Sequence, residues 1–174
     1  MNAKEVILGI IIFIVFWAFQ KGFLDSLGTA AWFVGAVIFV ILLYLVGMAT
    51  MPKATPEQKQ LWMFVSAFGL VVTFILSFLA APLGGVFQPT FTPAVLTPFV
   101  LSFWLVVFGG AFVVGGRMIG RSITLMIGVI WLFSAVHLQL TTGANSYLHF
   151  GLVTGLSSIL EGLMMPTPVA ATGA

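Results

Sequence analysis

The chain has 174 residues, 61% of them hydrophobic and only 6% charged, with a mean hydropathy of +1.22. Six Lys/Arg and four Asp/Glu cannot clothe a water-soluble globule, for which about 25% charged residues is usual, and a disordered chain would be far less apolar. The solvent for most of this surface is therefore lipid, and the length suits a single transmembrane domain.

The net charge of +2 comes from scattered cations, so no basic face exists for nucleic acid. Without cysteine there is no disulfide framework, thiolate metal site or thiol nucleophile.

Charged residues act as a ruler for the spans. Residues 6–20, 26–52, 60–116 and 122–160 contain no Asp, Glu, Lys or Arg. About 20 apolar residues cross a bilayer core of ~30 Å, so the first two runs each hold one helix. The run 60–116 holds two, divided where Pro82, Gly84, Gly85, Pro89, Pro93 and Pro98 cluster and helix is not expected to continue. The run 122–160 divides at Thr141-Thr142-Gly143-Ala144-Asn145-Ser146. An all-α membrane protein of six helices is predicted, near 5–24, 28–50, 56–81, 97–116, 121–140 and 146–164. Runs apolar on every face, such as Ile10-Ile11-Ile12-Phe13-Ile14-Val15, do not fit the alternation of barrel strands.

In chain order, the first helix opens on Lys4-Glu5 and is read as a mature span. A cleaved leader is disfavoured because Glu5 offsets Lys4 and no small-x-small site precedes Lys21 and Asp25. The second contains the small pair Ala31 and Gly35. The third begins with Thr55-Pro56-Glu57-Gln58, a capping box with proline at the first helical position. The apolar, proline-rich loop 82–98 is expected to fold back into the interface, cap a vestibule or dock on another subunit, docking being favoured over free solvation. Between the fourth and fifth helices, Gly116 and Gly120 read as turn chemistry. Asn145 or Ser146 is the expected cap of the sixth, and the tail Val169–Ala174 is expected to fray. Trp32 and Trp62, near span ends, suit an interfacial aromatic belt.

With the N-terminus cytoplasmic, Lys4, Lys53, Lys59, Arg117 and Arg121 fall inside and only Lys21 outside, as the positive-inside rule asks. Both termini are then cytoplasmic, in a multi-pass protein of the plasma membrane.

Few residues are candidates for chemistry. Phosphate loops, zinc-protease pairs, nucleophile elbows and carboxylate pairs are absent, which points away from an enzyme. Glu161 is the sharpest candidate, because a carboxylate deep in a bilayer costs roughly 2.5–3.5 kcal/mol and usually faces an interior or a water path. Ser157 lies one turn before it as a pathway hydroxyl. Ser66, Thr73, Ser77, Ser102 and Ser134 offer further hydroxyls. His137 and His149 flank the last turn, where a hairpin would bring them together. They make a weak metal signal, for copper, zinc or haem iron, against the plainer role of interfacial histidines bonded to loop backbone or water. No cofactor is predicted. Gly151, Gly155, Ser158 and Gly162 form a small-residue stripe that suits close helix packing, within the chain or between copies.

Gly128-Val129-Ile130-Trp131-Leu132 followed by Glu161-Gly162 resembles the amide and urea channel family (AmiS/UreI), which has an aromatic-rich fifth helix and an acidic-glycine pair in the sixth. Thr142-Gly143-Ala144-Asn145 with Gly151-Leu152-Val153-Thr154-Gly155-Leu156-Ser157 is similar to the last hairpin of the acetate-uptake family (SatP/YaaH). The likeness covers about the last 40 residues of the 174. The acetate family's N-terminal Asn-Pro-x-Pro-x-Gly signature is absent before the first helix, as are the polar third-helix residues of the urea channels. The resemblance implies a ring of six-helix protomers, each with a narrow path for a small neutral or weakly acidic solute.

The expected function is thus a passive channel of that kind, homo-oligomeric and embedded in lipid. The alternative is a non-catalytic structural subunit of a larger membrane complex, of respiratory or monooxygenase type. A haem or copper protein built on the two histidines comes third.

Overall fold

The computed structural model describes residues 3–27, 30–50, 55–84, 93–118, 120–141 and 145–164. They form six α-helices with no strand among them: α1 (Ala3–Gln20), α2 (Ala30–Thr50), α3 (Pro56–Gly84), α4 (Pro93–Met118), α5 (Ser122–Leu140) and α6 (Ser146–Met164), with a 3-10 turn at Asp25–Leu27. Ala3–Gln20, Pro56–Ser77, Leu96–Met118 and Ser122–Leu140 are long and apolar enough to cross a membrane, and Ala30–Leu42 is a shorter apolar stretch.

Local chemistry sets the helix ends. At α3, the Thr55 N–H donates to Gln58 Oε1 (3.0 Å) and the Gln58 N–H to Thr55 Oγ1 (3.3 Å), the reciprocal capping box expected from the sequence. The first helix stops at Gln20 rather than continuing to residue 24. Gly22, at φ 89°, lets the chain turn left-handed, so the Phe23 N–H reaches the Ala18 carbonyl and the Gly22 N–H reaches that of Phe19. Gly120, at φ 66°, ends α4 in the same way, with the Arg121 N–H on the Gly116 carbonyl.

The proline-rich middle is more helical than the sequence suggests. The third helix runs through Pro82 to Gly84, and the fourth begins at Pro93 and contains Pro98. A proline in a last turn forfeits a single ladder bond, and Pro93 stands in the first turn, where its missing N–H has no partner to lose. The docking expected of loop 82–98 and the fraying expected of the tail fall largely or wholly outside the described residues.

Successive helices run antiparallel. Along α1 and α6, Gly9 faces Gly155, Phe16 faces Gly151 and Phe150, and Phe19 meets Tyr147. Along α4 and α5, Gly116 faces Leu125, Phe112 meets Trp131, and Ser102 reaches Ala135. Each helix touches its sequence neighbours, α6 closes back on α1, and α4 also reaches α6 across the middle. This up-and-down ring brings Lys4, Lys59, Arg117 and Arg121 to one end and Lys21 to the other.

The centre of the ring is filled. Phe39 from α2 meets Phe16, Trp104, Phe108 and Phe150 with ring centroids 5.1–6.1 Å apart and planes 71–84° apart. Edge-to-face contact is the favoured geometry of aromatic pairs. Lipid tails are as apolar as these side chains, so dispersion and interhelical hydrogen bonds, rather than escape from water, hold the core. Trp32 and Trp62 both pack against this interior. Trp32 is buried with its Nε1–H on Thr97 Oγ1 (3.0 Å), and Trp62 stacks on Phe108 (5.6 Å). The Trp32 indole N–H thus has its hydrogen-bond partner within the protein.

Candidate functional site

The candidate residues lie along the α5–α6 hairpin, at three levels. At the end that carries the cations, Glu161 is buried in the last turns of α6, and its Oε1 accepts a hydrogen bond from Thr124 Oγ1 of α5 at 3.1 Å. Glu5 of α1, also buried, and Arg121 are its charged neighbours. The α1–α6 register explains the meeting with Glu5. Gly9 packs on Gly155 and Ile159, so one turn earlier on α1 falls opposite the next turn of α6. Thr124 and Glu5 were not candidates from sequence, because neither stands out until the hairpin is folded.

At mid-height, Ser157 is committed to the fold. Its Oγ donates to the Val153 carbonyl (2.6 Å) and accepts from Trp131 Nε1 (2.8 Å). The other interior hydroxyls behave alike. Thr73 donates to the Gly69 carbonyl (2.8 Å) and accepts from Trp104 Nε1 (2.9 Å), Ser102 donates to the Ala135 carbonyl (3.1 Å), and Thr154 to that of Phe150 (2.7 Å). Ser77 Oγ is buried with no hydrogen-bond partner among the described residues.

At the far end, the turn brings His137 and His149 together, their rings stacked with centroids 5.0 Å and planes 20° apart. His137 is exposed and His149 half-buried. The Thr141 N–H and Oγ1 both bond the His137 carbonyl, which closes the last turn of α5. Among the described residues no group of three or more His, Cys, Asp or Glu comes together as a metal cluster.

The small-residue stripe separates into two roles. Gly151 and Gly155 receive α1 directly, with Phe16 Cβ, Phe13 and the Gly9 carbonyl where a Cβ would stand. Ser158 instead turns back to the Thr154 carbonyl (3.2 Å), while Gly162 is buried beside Glu161 in the chain. A second seam, formed by Gly109, Gly116 and Gly128 between α4 and α5, was not foreseen as packing. Gly109 and Gly128 face one another across it, and Gly116 meets the Leu125 backbone.

Between α1, α2, α4 and α6 lies a cavity of about 20 Å³, bounded by Phe16, Trp32, Gly35, Phe39, Trp104 and Phe150 among others. It has room for about one water-sized molecule, in surroundings that give water few partners.

No family model, curated protein or solved structure matches the chain.

Proposed function

We propose that the chain is a six-span membrane protein with both termini cytoplasmic, and that it serves as a non-catalytic structural subunit within a larger membrane complex. The filled centre carries this reading. Phe39 interlocks with four aromatic rings at the middle of the bundle, leaving a cavity of only about 20 Å³ beside them, and Thr73, Ser102, Thr154 and Ser157 direct their hydroxyls to helix carbonyls and indoles. A passive path for a polar solute needs hydroxyls turned toward the solute. The grouping of Lys4, Lys59, Arg117 and Arg121 at one end supports the orientation.

Gentle extraction from the native membrane tests the assignment. Stoichiometric co-purification with unlike subunits is the expected outcome, and a ring built only of this chain would overturn it.

A solute channel is the second reading. The buried Glu161, held by Thr124 at the end of the hairpin that resembles six-helix channels, favours it. In that case Glu161 would line the cytoplasmic mouth, and Glu161→Gln would change flux while leaving the fold intact.

A further inference from the structure

The outer side of the α4–α5 seam has no part in the role proposed above. Val106, Gly110, Val114 and Arg117 follow one another on α4 at spacings of four, four and three residues, so they share one face of that helix. Ser122 and Val129, seven residues apart, share a face of α5. Both faces border the seam in which Gly109 meets Gly128 and Gly116 meets Leu125. Both are turned outward: Val106, Val114, Arg117, Ser122 and Val129 are all exposed. Among the described residues, a Cβ on Gly110 would meet nothing within 4 Å, so the face is notched two turns from Arg117. The result is an apolar groove along the seam with a guanidinium at its end.

Charge decides what fits the groove. At this end of the bundle Lys4, Lys59, Arg117 and Arg121 are exposed, whereas Glu5 and Glu161 are buried and Glu57 is bonded to Thr55 at the start of its own helix. The exposed surface there is therefore cationic. Beside Arg117, α5 opens with no side-chain cap from Arg121, which leaves its first N–H groups to other acceptors. A phosphate accepts hydrogen bonds from a guanidinium and from such N–H groups alike. The apolar face that runs inward from Arg117 calls for a long hydrocarbon body on the same molecule. A zwitterionic headgroup carries its own cation and gains less from this surface than an anionic one.

We propose that the outer groove of the α4–α5 seam binds one anionic phospholipid, with its phosphate on Arg117 and the first turn of α5 and an acyl chain along Val114, Gly110 and Val106. The site stands independently of whether the chain is a subunit or a channel.

Native mass spectrometry of the full chain in detergent, with added dioleoylphosphatidylglycerol or dioleoylphosphatidylcholine, provides the test. One phosphatidylglycerol per chain is expected to stay bound under conditions that strip phosphatidylcholine. Arg117→Gln should weaken retention about fivefold, the share of one basic residue at a membrane surface. Gly110→Leu should also weaken it, by filling the notch, although every charge stays in place. Both positions open outward, so neither change disturbs the core. Lys59→Gln, on α3 and away from the seam, should leave retention unchanged. Equal retention of the two lipids would overturn the proposal. A loss with Lys59→Gln as large as that with Arg117→Gln would also overturn it, by reducing the attraction to diffuse charge. So would crosslinking, in the native membrane, of a photoreactive group at position 114 to an unlike subunit rather than to lipid.

Discussion

Two kinds of seam hold the ring together. Between α1 and α6, and again between α4 and α5, glycines let backbones touch. A Cβ on Gly9 would collide with the Gly155 carbonyl oxygen, and one on Gly128 would stand 2.6 Å from that of Gly109. The third helix joins α4 differently, through long side chains. Trp62 lies against Phe108 and Phe112, and Trp104 fills the space over Gly69 and bonds Thr73. The exposed side of α3 carries Met63, Phe64, Phe68, Val71, Phe74 and Ile75. Where water supplies no driving force, close backbone approach and internal hydrogen bonds are what bind helices. The glycine seams should therefore be rigid and intolerant of added volume, and the aromatic seam more forgiving.

The largest effect is expected from Gly9→Leu, which forces a branched side chain into the Gly155 backbone and Ile159. A loss of about 3 kcal/mol or more is predicted in denaturant titration of the detergent-solubilised protein. Thr124→Val comes next. It removes the hydroxyl that bonds the buried Glu161 carboxyl, for a predicted loss of about 1–3 kcal/mol in the same titration. Trp104→Phe keeps the ring contacts but leaves Thr73 without the indole donor, and about 1 kcal/mol is expected.

The smallest change sharpens the contrast most. Gly110 adjoins Gly109, yet a Cβ there meets nothing within 4 Å. Gly110→Ala should be neutral or stabilise by up to about 0.5–1 kcal/mol. A large loss at Gly110, or none at Gly9, would erase the distinction between the two kinds of seam.

Some of this was legible in the sequence and some was not, for physical reasons. Spacing of charges, together with the proline-glycine cluster after residue 81 and the polar turn at 141–146, located the six helices, and the capping box at Thr55 appears in the structure as read. The hairpin about residues 141–145 was enough to bring His137 to His149, because both stand about equally far from the turn. The same rule applied further along would have paired Trp131 with Ser157 and Thr124 with Glu161. What hid those pairs is that serine, threonine and tryptophan are ordinary in a membrane helix until a partner is known.

Contacts between helices distant in sequence were beyond such a rule. Gly9 gave no sign that α6 would lie across it, and Gly109 could not be told from Gly110. Pro82 and Pro93 misled in the other direction, since a proline costs little in a last or first turn, while Pro98 is carried inside α4.

The filled, non-conducting interior is the central claim, and solute permeability tests it most directly. Vesicles reconstituted with the full chain, in a gradient of urea, acetamide or acetic acid, should swell no faster than protein-free vesicles of the same lipid. Swelling that is accelerated by the chain and altered by Glu161→Gln would contradict the account and establish a pathway through the bundle.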